Sequence, residues 1–210
     1  MTILALEFSS ARRSVALARP DGTLLAEAVE QTTARGTDAL GLIEKALAQA
    51  ALPREAIEVV AVGLGPGSYT GIRAAIAVAQ GWQLARGTKL LGIGSLEALA
   101  AQAQTRQLFG LINLVVDAQR GEFYLATWDI SPTQRRELSP LCIVPAGEVA
   151  ARQAAGGICA GPEMDRPLFP AAATLATLAA ARSDFLPGQL LQPIYLRQTS
   201  FAKAPPRRAV

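Results

Sequence analysis

The sequence predicts an α/β protein of two lobes, built on a duplicated β-β-β-α-β-α unit. Two observations lead to it. Near-continuous apolar runs, TILALEF (2–8) and LINLVVDA (111–118), open the two halves, as buried strands do. Each run ends in an acid, Glu7 or Asp117, and a polar turn, a second strand, a turn and a third strand follow. Such self-similarity suggests two lobes around a cleft. Chance alternation in an Ala-rich chain is the competing reading.

The elements follow in order. After the strand 2–8, SVALA (14–18) reads as a second strand, and Pro20-Asp21-Gly22 is a turn signal. TLLAEAVEQ (23–31) reads as a third strand. Thr37 or Asp38 can cap a helix that runs to about Ala51, where Pro53 stops it. EVVAVGLG (58–65) is β-rich and ends in a Gly-rich loop. Ser68 or Thr70 can cap the next helix, which ends at Arg86 before Gly87. KLLGIG (89–94) is a strand, and Ser95 is expected to cap the helix SLEALAAQAQ. In the second half, strands are expected over 111–118, 122–129 and 137–144. A helix over 147–155, a short strand over 157–161 and a helix over 173–184 follow. LLQPIYLRQ (190–198) reads as a return stroke onto one lobe. The lobes are thus expected at 1–106 and 107–189, with 190–210 returning to the first.

Composition excludes several chemistries. The chain has 210 residues, half of them hydrophobic, and 0 histidines. That removes His–metal sites, Ser–His and Cys–His nucleophile pairs and imidazole bases. A protease reading built on Ser68 has no base to support it. The apolar runs are interrupted well short of a bilayer span, and MTILALEF lacks the basic start of a signal peptide. Cys142 and Cys159 form no CxxC pair and fit reduced thiols, so a cytoplasmic protein without a membrane segment is expected. Net charge is +3. Arg197, Lys203, Arg207 and Arg208 lie in an acid-free C-terminal stretch, and without it 16 basic residues face 17 acidic ones, a balance of −1. That tail is either a nucleic-acid contact or a solvated end.

GLGPGSYTGIR (63–73) is the main candidate site. A strand, a Gly-rich turn and a helix N-terminus bring free amides and the helix dipole to one place, as anion sites do. Pro66-Gly67 suits the centre of a type II turn. Gly65, Gly67, Ser68 and Thr70 would line a phosphate site, and Asp117 would orient Mg²⁺ or water. No Lys follows, so the loop is not a Walker A motif, and its glycines miss the GxGxxG spacing. A ligand-free strand-to-helix turn, and acids that cap turn amides, are the alternatives. No catalytic residue and no metal site are expected.

Helix 70–86 carries only Arg73 and Arg86 as charges. Ile72, Ala75, Ile76, Ala79 and Leu84 mark one side, and the opposite side is nearly as apolar. In helix 38–51, Leu40, Ile43 and Leu47 form a stripe, with Leu42 and Ala46 on another. A helix apolar all round needs more than one covering. Side by side, the two would offer a patch of the kind that marks a protein partner.

Five separated segments carry a family resemblance. ILALEFSSARRSVAL resembles ILAIDTSTxxCSVAL, and GLGPGSYTGIRAAIAVAQGW resembles GxGPGSFTGxRIGxxxAxGL. GIGSLEALA, DAQRGEFYLATW and PIYLRQTSFAK resemble GVSSLxxLA, DARxGEVYxAxY and PxYLRxxxAxK. They span nearly the whole chain, in order. The sequence is thereby similar to the TsaB-like (YeaZ) family, whose members once carried the label glycoprotease. The resemblance implies the two-lobed actin/Hsp70-like (ASKHA) fold. It also implies a role in bacterial synthesis of N6-threonylcarbamoyladenosine (t6A) in tRNA, next to the anticodon. The chain would be a non-catalytic partner of a TsaD-like transferase, joined by a small TsaE-like ATPase, with tRNA met through the complex. The implied interface lies on the N-terminal helices, at Leu40, Ile43, Leu47, Ile72, Arg73, Ile76 and Ala79. A cofactor is not expected in this chain, although the boundary between the partners could hold a nucleotide. A homodimer of the isolated chain stays open, as does a nucleotide-dependent enzyme acting alone. Two departures stand out: Glu7 replaces the family's Asp, and TTARGTDAL lacks the family's His before the first helix.

Overall fold

The computed structural model describes residues 2–31 and 38–197. Its first sheet has the order β3-β2-β1-β4-β5, from Leu24–Gln31 (β3), Arg12–Ala18 (β2), Thr2–Glu7 (β1), Ile57–Gly63 (β4) and Lys89–Ile93 (β5). The three leading strands are antiparallel neighbours, while β1–β4 and β4–β5 pair in parallel. The second sheet repeats the plan one strand shorter, β8-β7-β6-β9, from Arg135–Pro145 (β8), Glu122–Ile130 (β7), Gly110–Gln119 (β6) and Ile158–Ala160 (β9). There β6–β7 and β7–β8 are antiparallel and β6–β9 is parallel. The duplicated strand plan is the one the sequence predicts.

Strand periodicity fixes which side chains meet which helix. On one face of the first sheet, Leu4, Leu6, Val15, Leu17, Val60 and Val62 pack under α1 (Ala39–Ala50) and α2 (Tyr69–Arg86). The other face presents Ile3, Ala5, Ala16, Ala18, Val59 and Ala61. Its cover comes from the far end of the chain, α5 (Ala172–Ala180), through Ala172, Leu175, Ala176 and Ala179. Alanines on both sides let the helix sit close. Conversely α3 (Ser95–Thr105), which follows the first sheet in sequence, sends Leu96 and Leu99 into the core of the second sheet with Ile112 and Leu114. Val149 of α4 (Ala146–Ala154) packs on the opposite face with Val115 and Leu125. The helix expected within the second lobe, over 173–184, thus lies on the first sheet and ends at Ala180.

Two caps are among those expected, and one differs. Asp38 caps α1 by accepting the Gly41 N–H, and Ser68 caps α2 through the Gly71 N–H; Thr37 lies outside the described residues. Ser95 does not cap α3. Gly94 holds that position without a side-chain bond, and the Ser95 hydroxyl is engaged elsewhere. The C-terminal segment returns beneath α2. The Gly188 N–H donates to Gln83 Oε1 at 2.7 Å, Leu191 enters the first core, and the Ile194 N–H donates to the Leu64 carbonyl at 2.9 Å. Its continuation past Arg197, with Lys203, Arg207 and Arg208, lies outside the described residues, as does the stretch 32–37. Among the described residues, no helix is long and apolar enough to cross a membrane.

Candidate functional site

The Gly-rich loop sits where β4 gives way to α2, and it is folded tightly onto the β1–β2 turn. A Cβ on Gly67 would lie 2.1 Å from the Ser9 carbonyl oxygen, and one on Gly71 would lie 2.0 Å from that of Phe8. Gly67 takes φ +146, far from the value near +80 of a type II turn. The Gly65–Pro66 peptide is cis. The expected type II turn is therefore absent, and the loop instead follows the surface of the neighbouring hairpin.

That packing commits several of the donors a phosphate would need. The Ser68 N–H donates to the Ser9 carbonyl at 2.7 Å, and the Gly71 N–H to Ser68 Oγ at 3.3 Å. The Gly65 N–H donates to Ser95 Oγ at 3.2 Å. Thr70 is exposed in the first turn of α2. Glu7 does not face the cleft at all. It is fully buried, accepting the Ser9 N–H at 2.8 Å and the Ser95 hydroxyl at 2.9 Å. Burial raises its pKa, and the donors on Ser9 and Ser95 offset that in part.

Across the loop lies a cavity of about 680 Å³ between the lobes. Ser9, Ser10 and Gly67 form one wall, and Asp117, Arg120 and Glu163 the other. Asp117 accepts the Gln119 N–H at 2.8 Å and is also bonded by the Gln119 side chain. Glu163 accepts the Asp117 N–H at 3.4 Å. Its pKa is raised, first by desolvation and further by the charge of Asp117. The chain has three tyrosines, Tyr69, Tyr124 and Tyr195, and all line this cavity. Tyr69 and Tyr195 stack with centroids 5.4 Å apart, and Arg73 lies 5.2 Å from the Tyr69 ring. Arg197 also lines the cavity and bonds the Ala118 carbonyl and Glu122. The cavity thus gathers Asp117, Gly67 and Ser68 but leaves out Gly65 and Thr70. No group of three or more metal-ligating side chains occurs among the described residues. The committed amides and the inward Glu7 do not fit a Mg–nucleotide cradle.

The expected interface residues divide sharply. Ile43, Leu47, Ile72 and Ala79 are core residues beneath the helices, and Ile76 is 6% exposed. They face the sheet, although Ile76 also lines a groove with Arg73 and Ala77. In α1 the buried stripe is Ala39, Leu42, Ile43, Ala46 and Leu47; Leu40 points away from it, 60% exposed. In α2 the open face carries Arg73, Ala77, Gly81, Leu84 and Ala85, with Leu84 89% exposed. Leu40 and Arg73 alone of the expected set are exposed, and Leu84 moves from the buried side to the outer one.

The family description "TsaD: tRNA N6-adenosine threonylcarbamoyltransferase" matches residues 36–166. The chain belongs to this family. Within it, the chain resembles the proteins named TsaB or YeaZ. It is 32% identical over 125 residues to "tRNA threonylcarbamoyladenosine biosynthesis protein TsaB" of Bacillus subtilis, which is 59% of this chain and 53% of the relative. The Escherichia coli protein of that name is 30% identical over 128 residues, 61% and 55% of the two chains. The chain thus spans about half the length of the curated relatives it matches. A solved structure, YeaZ from Pseudomonas aeruginosa, shares 28% identity with a TM-score of 0.77, covering 93% of this chain and 99% of that one.

Sequence reasoning missed Glu163, Tyr195 and the bridging role of Arg197. One signal was present. Gly161-Pro162 follows β9 as Gly65-Pro66 follows β4, and Glu163 comes directly after that echo. The scarcity of tyrosine was a second clue.

Proposed function

We propose that this chain is a non-catalytic partner and activator of a TsaD-like transferase in t6A modification of tRNA, next to the anticodon. The names of its relatives place them in t6A biosynthesis. The observation that carries the docking reading is the outer face of α1 and α2. Leu40 and Leu84 stand exposed there, and Ala77, Gly81 and Ala85 of α2 add no charge. A helix face of large apolar and very small residues lets another chain approach closely. In this reading the chain needs no cofactor of its own, a TsaE-like ATPase joins the assembly, and tRNA is met through the complex. A stable interface of this kind buries about 1,200–2,000 Å² in total.

The test is co-purification with the cognate transferase, with t6A formation measured alongside. Leu40→Glu and Leu84→Glu should each weaken the complex at least about tenfold, since a buried unpaired charge costs several kcal/mol, while leaving the isolated chain folded. Normal complex formation by both variants would move the interface elsewhere. Ile76→Glu is a folding control, because its side chain is in the core.

A second reading, a nucleotide-dependent enzyme acting alone, rests on the interlobe cavity. Asp117 and three tyrosines line it, and an acid and stacking rings are groups that a nucleotide could meet there even though the Gly-rich loop itself is committed. Such an enzyme binds Mg–ATP as an isolated chain. Flat calorimetric titrations of the pure protein would dispose of it.

A further inference from the structure

Glu7 joins three segments from the inside. One carboxyl oxygen takes the Ser9 N–H of the β1–β2 turn, and the other takes the Ser95 hydroxyl at the start of α3. Ser95 and Gly65 then exchange two bonds: the Ser95 N–H donates to the Gly65 carbonyl at 2.8 Å, and the Gly65 N–H returns to Ser95 Oγ. The Ser9 carbonyl holds the Ser68 N–H, at the cap of α2. Because α3 is packed into the second sheet, this chain of bonds runs from one lobe to the other. The space for it comes from Gly63 on the adjoining strand. A Cβ at Gly63 would lie 2.1 Å from Glu7 Oε2. An Asp at position 7 would be one methylene shorter and would stop short of that space.

We propose that Glu7 is a positioning residue: its carboxyl group latches the Gly-rich loop to both lobes and so fixes the first turn of α2, with Gly63 as its necessary complement. The consequence for docking rests on the partner role of α2 argued above. The latch itself is a property of the chain alone. Fixing the loop at Ser9 and Gly65 fixes Ser68, and Ser68 sets where α2 begins. Tyr69 and Arg73, at the head of the outer helix face, are placed by that start. The loop is then held without any bound anion.

The test uses the full chain and four variants: Glu7→Gln, Glu7→Asp, Gly63→Ala, and the last two combined. Amide hydrogen exchange at Ser9, Gly65 and Ser68 reads the latch, relative to core amides of β1 and β4 that report global opening. Binding to the cognate transferase reads the consequence. Glu7→Gln should speed exchange at Ser9 and Gly65 about tenfold, because its amide donates toward Ser95 Oγ and leaves that hydroxyl without its acceptor. Gly63→Ala should do more, or fail to fold. In the double variant the new methyl fills the space left by the shorter acid. Exchange there should be slower than the two single effects multiplied together by about threefold or more. Where Gly63→Ala does not fold, a folded double variant is the same rescue.

Exchange in Glu7→Gln equal to the wild type, once referenced to the core, overturns the latch. A multiplicative cycle, or an unfolded double variant, overturns the pairing with Gly63. Altered exchange with unaltered transferase binding overturns the positioning of α2. A wild-type chain that binds no transferase removes the docking role and leaves the exchange result standing, so the two failures are distinguishable.

Discussion

The β1–β2 and β6–β7 turns occupy the same place in the two halves and have opposite relations to the cleft between them. Each follows an apolar strand that carries an acid at or near its end, Glu7 closing β1 and Asp117 two residues short of the end of β6. In the first, Glu7 is fully buried and folded back beneath the Gly-rich loop. In the second, Asp117 lines the cavity and bonds its own turn through Gln119. The difference comes from what lies beside each turn. Gly63 leaves room behind Glu7, and Ser95 supplies a donor there. In the second half the next helix, α5, begins only at Ala172 and packs on the first sheet, so no helix start closes over Gly161-Pro162 and Asp117 meets Glu163 instead. A duplicated sequence can therefore carry one closed turn and one open one.

The largest expected effect is steric. In the closed turn, Gly71→Ala would place a methyl 2.0 Å from the Phe8 carbonyl oxygen, a backbone atom that cannot swing aside. The loss should be about 3 kcal/mol or more, at the upper end of overpacking costs. In the open turn, Gly121→Ala has nothing within 4 Å to strike, although its φ of +76 favours glycine. About 1 kcal/mol is expected there. Urea unfolding of both variants measures the contrast, and equal losses would remove it.

The second effect is a pH dependence confined to the closed turn. Burial lifts the Glu7 pKa above its usual 4.5. The folded chain then holds this proton more tightly than the unfolded chain does. The stabilisation is complete below the unfolded value and fades as pH rises through the folded one. Glu7→Gln has no such proton. The stability of the wild type relative to Glu7→Gln should accordingly increase as the pH is lowered toward 4.5, as read from paired thermal unfolding curves. A difference that shrinks on acidification would mean the carboxylate is the better-accommodated form.

How much of this was legible depended on the residue type doing the packing. The strands and hairpins were legible, because Val, Ile and Leu runs between turn residues have few other uses. The lobe of α5 was not, since the small face of Ala172, Ala176 and Ala179 matches many surfaces. It found Ala16, Ala18 and Ala61 on the first sheet. In α1 and α2 the sequence identified the right helices and mis-set their rotation. Leu40, Ile43 and Leu47 share a heptad-like spacing, yet the stripe that includes Leu42 and Ala46 is the one that fits the sheet. With Leu and Ala on every side, the buried direction is decided by the tertiary partner. The inward turn of Glu7 was equally out of reach. It depends on a missing side chain at Gly63, on the strand beyond β1.

A smaller effect concerns how the open turn is held. Arg197 bridges to it through Glu122 and the Ala118 carbonyl, with side chains 32% and 42% exposed in the ion pair. At such exposure the pair contributes at most about 1 kcal/mol. Arg197→Ala should barely change the unfolding midpoint, yet exchange of amides in the β6–β7 turn should quicken while those of the β1–β2 turn stay as they were. Equal quickening in both turns would show that the segment from Leu191 to Arg197 supports the closed turn as well.

The smallest effect is electrostatic and lies wholly in the open turn. Two features of Asp117 act on Glu163 in opposite senses. Its backbone N–H donates to the Glu163 carboxylate and favours the charged form, while its own carboxylate repels that charge. Asp117→Asn keeps the backbone donor and removes the repulsion. The Glu163 pKa should then fall, while desolvation, the larger cause of its rise, stays in place. A carboxyl-detected NMR titration of the two proteins reads this directly. The Glu7 resonance should be untouched, since that group is sealed beneath the loop and bonded to Ser9 and Ser95. A Glu163 titration that does not move would mean that the two acids of the open turn do not sense one another across the cavity wall, and that burial alone holds the proton on Glu163.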